Sequence, residues 1–286
     1  MNEDAHISIV GLPASGKTTY LAALWHMVRE PGANTNLHFT SLKTSNYEHL
    51  NTLAKLWRSG KIQQRTQTSG LRTVIMTLGN AEGREVEISF PDIPGEDFSD
   101  MWEKREVDES VRKTLSARDI VLIVNGDTIK LPAWVAERNK MTQDAGLPII
   151  DNEPVDWSPN FSPTQVKLVA LLQFLMSETL NVGPRRVAIL ISAWDKVEGE
   201  QLSPTEIMST KLPLLFQYLQ SGRDPWDWEV WGVSAQGGDY EDPEKDQHFA
   251  VTDALRDLDR PSDRIKIVRD AAVTSDITLP LAWLMK

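Results

Sequence analysis

At 286 residues with a formal net charge of -11 at pH 7, the chain has the length of one large α/β domain or two small ones, and its 41% hydrophobic and 25% charged residues are those of a soluble globular protein. The acidic balance argues against a generic nucleic-acid surface, which needs Lys and Arg to neutralise phosphates. There is no cysteine, which excludes disulfides, thiolate metal sites and iron-sulfur clusters and suits a cytoplasmic location.

The acidic start, Met1 to His6, lacks the basic region of a signal peptide. Apolar runs such as Ile120 to Val124 and Leu279 to Met285 are too short to cross a bilayer. Five scattered histidines offer no metal-ligand spacing.

Ile7, Ile9 and Val10 read as a buried first strand. It opens onto Gly11-Leu-Pro-Ala-Ser-Gly-Lys-Thr18, a full match to GxxxxGK[ST], and then onto a helical pattern from Tyr20 to Val28 with Leu21, Leu24, Trp25 and Val28 on one face. Strand, loop and helix form the context that makes this pattern a phosphate loop. Backbone N-H groups of Ala14, Ser15, Gly16, Lys17, Thr18 and Thr19 would face the phosphate oxygens at the helix N-terminus. Lys17 can reach the β and γ phosphates, and the Thr18 hydroxyl can bind Mg²⁺.

Leu37 to Leu42 reads as a short strand and Asn46 to Arg58 as an inserted helix with Leu50, Leu53, Leu56 and Trp57 inward. Leu71 to Leu78 and Arg84 to Phe90 alternate around a glycine-containing turn, as a hairpin does. At its end stands Asp92-Ile-Pro-Gly95, at the crevice where open α/β sheets bind ligands. Glu96 to Leu115 reads as the following helix, with Asp97 and Asp100 near the site, and Asp119 to Val124 as a buried strand. Residues 127–163 are polar and carry five prolines, which marks a surface excursion, with a functional lid as the alternative. Thr164 to Leu180 reads as a helix and Arg186 to Ala193 as a strand ending at Trp194-Asp195. A helix from Ser203-Pro204 to about Tyr218 must kink or split at Pro213. Trp228 to Val233 is a further strand leading to Ser234-Ala235-Gln236. Residues 237–275 read as irregular, and the last helix begins close to Pro280.

The alternation of strands and helices argues a doubly wound α/β sheet in a single domain, residues 1–286, with insertions around 31–65 (helical), 127–163 (loop or flap) and 237–275. In chain order the landmarks resemble the Ras-like (TRAFAC-type) GTPase superfamily. Gly11 to Thr18 is the phosphate loop and Asp92 to Gly95 the DxxG motif; Ser192-Ala-Trp-Asp195 stands at the guanine-reading [NT]KxD motif, and Ser234-Ala235-Gln236 at the SAK-like loop. The loop-to-helix segment through Leu-Ala-Ala-Leu-Trp25, with the closing Leu-Pro-Leu-Ala-Trp-Leu, is similar to bacterial double-GTPase-type domains of conflict or defence systems.

The resemblance implies a three-layer P-loop NTPase fold, mostly parallel with one antiparallel hairpin strand. It also implies binding of GTP and GDP with Mg²⁺, and hydrolysis of GTP in a nucleotide-controlled switch that gates protein partners. Thr18, Asp92 and Thr68 would be the metal ligands, with Thr66 as the alternative switch threonine. Gly95 would offer its N-H to the γ-phosphate. Glu96 stands where the family has a water-orienting Gln; it would orient water or act as base, or else mark a chain that holds nucleotide without turnover. Arg65, three residues before Thr68, has the spacing by which heterotrimeric G-protein alpha subunits supply an arginine in cis; an exposed loop arginine is the plain alternative. Asp195 would accept two hydrogen bonds from guanine, while Ser192 and Ala193 replace the family's Asn and Lys. Trp194 either covers the base or packs, and Ser234 and Ala235 would offer a backbone N-H to the base carbonyl. The lost Asn and Lys keep an ATP-using P-loop protein open as a second reading. A kinase fits less well, because 127–163 holds only Lys130, Arg138 and Lys140 as basic residues.

Overall fold

The structure is a computed structural model, and it describes residues 5–43, 47–62, 73–91, 101, 103–132, 140, 143–146, 158, 161–242, 244–245 and 248–286. The strands β1 (Ala5–Gly11), β2 (His38–Leu42), β3 (Val74–Gly79), β4 (Glu85–Phe90), β5 (Asp119–Asn125), β6 (Arg185–Ser192), β7 (Trp226–Ser234), β8 (Lys266–Arg269) and β9 (Ala272–Thr274) form one sheet. Their order is β2-β3-β4-β1-β5-β6-β7-β8-β9. From β4 to β7 the neighbours are parallel, and the outer pairs on both sides are antiparallel.

The parallel strands are apolar because both of their faces are covered. In β5 every residue from Ile120 to Val124 is buried. Val121 and Ile123 join Ile7, Ile9, Ala188 and Leu190 on one face, and Ile120, Leu122 and Val124 join Val187, Ile189 and Ile191 on the other. The first face packs against α1 (Lys17–Met27) and α2 (Tyr47–Arg58). On the second lie α3 (Glu109–Leu115), α4 (Thr164–Leu175), α5 (Trp194–Val197), α6 (Pro204–Lys211) and α7 (Pro213–Gln220), whereas α8 (Ala250–Arg256) and α9 (Leu279–Leu284) return to the first. This is the expected three-layer α/β arrangement with a mostly parallel core. No helix among the described residues is long and apolar enough to cross a membrane.

Three segments depart from the pattern read in the sequence. α1 does not bury one face only: from Tyr20 to Met27 every side chain but His26 is buried, as in a helix covered on all sides. The inserted α2 lies against it, with Trp25 Nε1 donating to Asn51 Oδ1 at 3.1 Å, and the Tyr20 hydroxyl donates to Ile277 O at 3.0 Å, just ahead of α9. The run expected as one helix from Glu96 to Leu115 is interrupted: residues 101, 103 and 104 are helical, Arg105 sits at φ 58°, and α3 starts at Glu109. Residues 237–275, expected as irregular, contain α8, a 3-10 turn at Pro261–Arg264 and the β8–β9 hairpin, which extends the sheet beyond β7. Strands of four and three residues carry too short an alternation to stand out.

Pro213 splits its helix, as its missing N-H requires: α6 ends at Lys211, Leu212 leaves helical geometry, and Pro213 opens α7. Ser203 and Glu206 form a capping box at the start of α6. Beneath the second face Arg185 is 1% exposed. Its guanidinium donates to the carbonyls of Leu115 (2.9 Å), Ala117 (2.7 Å) and Leu180, and burial pushes its pKa down to about 10. It supplies donors to carbonyls at and beyond the end of α3, where helices leave them unpaired. Arg185→Leu strands these buried acceptors, and the expected loss is about 3 kcal/mol. Urea denaturation would show it as a lower midpoint with an unchanged slope.

Candidate functional site

Five parallel strands present their carboxyl ends to one side, and the chain order reverses about β1, which is where such sheets form a ligand crevice. β1 delivers the loop Gly11 to Gly16 there. Gly11 is required by close approach: a Cβ at this position would stand 2.5 Å from Ile123 O and 2.6 Å from Ser15 Oγ. Gly16 caps α1 at φ 94°, the left-handed region that glycine enters without cost. Ala14 enters the same region at φ 60°, a conformation costly for a residue with a Cβ and one that persists where surroundings impose it.

Those surroundings are visible. Ser15 N donates to Leu12 O at 3.1 Å. Lys17 Nζ reaches back to the carbonyls of Gly11 (2.8 Å) and Leu12 (3.1 Å). From the neighbouring strand ends, Ser192 Oγ donates to Ser15 O at 2.7 Å and Asn125 Nδ2 to Ala14 O at 3.2 Å. The carbonyls thus point into the protein. No side chain caps the start of α1, so the N-H groups of Lys17, Thr18 and Thr19 add to a site of positive partial charge.

Along the crevice, Ala193 at φ 52° turns the chain from β6 into α5. Trp194 is 3% exposed and packs in the second core. A Cβ on Gly232 of β7 would lie 2.4 to 2.8 Å from its ring atoms. Of the two roles open to Trp194, covering a base is therefore corrected to packing: the missing side chain at Gly232 makes the slot its indole fills. Asp195, next in the chain, lines the cleft. Ser234 Oγ donates to Asp195 Oδ1 at 2.6 Å and accepts from Gly237 N at 3.1 Å. Ser234 is itself buried and acts through the carboxylate it orients.

A cleft of roughly 270 Å³ joins the two halves, with Ala14, Gly16, Thr19, Asp195 and Ala235 in its wall. Ser15, Lys17 and Thr18 belong to the adjoining loop and first turn. The expected positions Arg65, Thr66, Thr68, Asp92, Gly95 and Glu96, with Asp97 and Asp100, lie outside the described residues. β4, which leads to Asp92, is the parallel neighbour of β1.

The sequence reading missed Asn125, Asp127, Lys196 and Asp239, all in the cleft wall. Asn125 carried a usable signal, an Asn-Gly pair directly after a continuous apolar strand. Its Oδ1 also accepts from the backbone N-H of Asp127 at 3.0 Å and Thr128 at 3.3 Å, so one side chain shapes both the loop and its neighbour. Lys196 pairs with Asp239 at 2.6 Å, a partner 43 residues away that local pattern does not reveal. The hydrogen bond to Asp239 raises the ammonium above the usual lysine range against partial burial, and the charges of Asp239, Asp195 and Asp127 raise it further.

Gly232→Ala would force Trp194 and the attached Asp195 out of place, and overpacking of this kind costs about 2 kcal/mol. Thermal and chemical unfolding of the variant is the check; native stability would show that the slot can widen freely.

A family model described as Double-GTPase 1 matches residues 8–284. Among solved structures, the SRb-GTP/SRX complex of the signal recognition particle receptor from Chaetomium thermophilum aligns at 12% identity and a TM-score of 0.43, covering 85% of this chain and 96% of that one. The GTP-bound Ski7 GTPase-like domain of S. cerevisiae aligns at 13% identity and a TM-score of 0.43, covering 88% and 49%. Nucleolar GTP-binding protein 1 of Plasmodium falciparum aligns at 13% identity and a TM-score of 0.35, covering 83% and 81%. No curated protein sequence matches the chain. The family match runs from β1 to α9 and takes in the phosphate loop, Asp195 and Ser234: the chain belongs to the Double-GTPase 1 family.

Proposed function

We propose that this chain binds GTP with Mg²⁺ and hydrolyses it to GDP and phosphate, as a nucleotide-controlled switch that gates protein partners in a larger bacterial conflict or defence system. The observation that carries the base assignment is Asp195, a carboxylate oriented by Ser234 in the same cleft as the phosphate loop. A carboxylate only accepts hydrogen bonds, and guanine offers it two donors on one edge, N1-H and the 2-amino group. Adenine has no N-H at N1, so the half-buried carboxylate would lose the donors it takes from the base, which is how a hydrogen-bonding site rejects an analogue.

At the other end of the cleft, the loop and first-turn amides and Lys17 would hold the β and γ phosphates. Phosphoryl transfer to water rests on such positioning and charge stabilisation. Mg²⁺, when bound, supplies neutralisation of the β and γ oxygens. Thr18 fits a place in its shell: it stands exposed at the first turn of α1, and a hydroxyl is a hard oxygen donor. Asp92 and Thr68 are the proposed companions, Gly95 the proposed N-H donor to the γ-phosphate, and Glu96 and Arg65 the proposed water-orienting and charge-stabilising groups. Ser192, which stands where the family has Asn, supports the loop by donating to the Ser15 carbonyl.

Calorimetric titration with GDP, GTP, ADP and ATP in Mg²⁺ tests the base. Guanine nucleotides should bind and adenine nucleotides should not, and tight ADP binding without GDP binding would sink the assignment. In single-turnover assays, Lys17→Ala should slow GTP hydrolysis at least 100-fold; native chain that binds GTP and never releases phosphate would make it a scaffold. Asp195→Asn exchanges one acceptor for a donor and should lower GDP affinity by about tenfold or more. The same variant should gain affinity for XDP, whose 2-carbonyl accepts where guanine donates. A competition assay with both diphosphates reads the exchange.

A further inference from the structure

The inserted helix α2 and the segment after β7 meet behind the Ser234-Ala235-Gln236 loop. Trp57, in the last turn of α2, is completely buried, and its indole Nε1 donates to the carbonyl of Ala235 at 2.8 Å across 178 residues of chain. The Arg264 guanidinium lies over the Trp57 ring at 4.8 Å. It donates to Trp57 O (3.0 Å), Leu255 O (2.6 Å) and the Tyr240 hydroxyl (3.1 Å). Gly237, at φ 81°, rests directly on this assembly: a Cβ there would stand 3.0 Å from the Arg264 carbonyl and from Leu255. The loop is therefore held from behind by Trp57 and from the side by the Ser234 hydroxyl, which also carries Asp195.

We propose that Trp57 is a positioning residue for purine selectivity, acting through Ala235; the proposal rests on the guanine site argued above. Fixing the Ala235 carbonyl fixes the following peptide plane and so the backbone of a residue in the cleft wall. That plane carries the Gln236 N-H, and Ser234 is anchored on the other side through its hydroxyl, so the Ala235 N-H between the two anchors is held where it can donate to the 6-carbonyl of guanine. Adenine carries an amino group at that position, which cannot accept. Asp195 and Ala235 then discriminate at different positions of the same base, and both are set by one loop. Without the indole N-H the buried carbonyl loses its donor and the loop can rotate, a change that weakens the contact with the 6-carbonyl and leaves the phosphate contacts intact.

Trp57→Phe keeps a ring under Arg264 and removes only the N-H, and Gly237→Ala displaces the same loop without touching Trp57. Affinities of GDP and ADP for the native chain and both variants, by competition against a fluorescent GDP analogue in Mg²⁺, read the effect. Trp57→Phe should weaken GDP about fivefold, the size of one neutral hydrogen bond. ADP binding should stay as it is, so that the ratio narrows by the same factor. KM for GTP should rise with it while kcat at saturation holds. A merely structural tryptophan would lower the unfolding temperature and leave the GDP to ADP ratio at its native value, and that result overturns the proposal. If Trp57→Phe does not fold, Gly237→Ala decides: a narrowed ratio supports the brace and an unchanged one overturns it. Failure of the native chain to bind GDP would overturn the guanine site itself, an outcome distinct from native GDP binding with an unchanged variant ratio.

Discussion

Between Tyr20 and Met27 every side chain but His26 is buried, so the helix that carries Lys17 must be covered on the side away from the sheet as well as on the side facing it. Each apolar side chain so buried contributes on the order of 1.5 to 3 kcal/mol. The cover is α2 on one flank and the segment leading into α9 on the other, pinned by Trp25 to Asn51 and by Tyr20 to Ile277. Asp276 secures the second flank, accepting from the backbone and side chain of Asn36 and from Thr278. Elements that look like additions to a parallel core are thus the means of burying the helix that carries Lys17.

Burying α1 fixes one end of the phosphate loop, and β1 between β4 and β5 fixes the other. Two left-handed residues, Ala14 and Gly16, can then be sustained in between. The strain at Ala14 is met by Asn125, which holds its carbonyl, and the close approach at Gly11 by the absence of a side chain. The other end of the cleft follows the same logic. Trp194 fills the slot over Gly232 and turns Asp195 into the cleft, and Ser234 on the next strand sets the carboxylate. Neither end relies on a single contact.

What could be read in advance follows from how local each constraint is. The phosphate loop, the continuous apolar runs of β5 and β6, and the break at Pro213 are written in consecutive residues, so they stand out. The β8–β9 hairpin did not, because strands of four and three residues form only against the edge of β7. Trp194 was ambiguous for a different reason: an aromatic side chain after a strand serves packing or stacking equally well. The residue that decides between them, Gly232, belongs to a neighbouring strand whose pairing no local pattern displays. Arg185, Arg264 and the Lys196 to Asp239 pair are non-local in the same way, since a charged residue in a sequence announces solvent until the fold supplies carbonyls or a counter-charge.

Antiparallel pairs flank the parallel core on both sides, and this has a kinetic meaning. β3 with β4, and β8 with β9, close over a few residues, and hairpins of that kind form within microseconds. β1 has no such local partner: Ala5 pairs with Val86 and Ile7 with Asp119. The entropy of closing loops that long must be met before the contacts return anything. The strand nearest the beginning of the chain is therefore expected to be seated late in assembly. A nascent chain would carry its nucleotide-binding sequence through most of folding as an unformed loop.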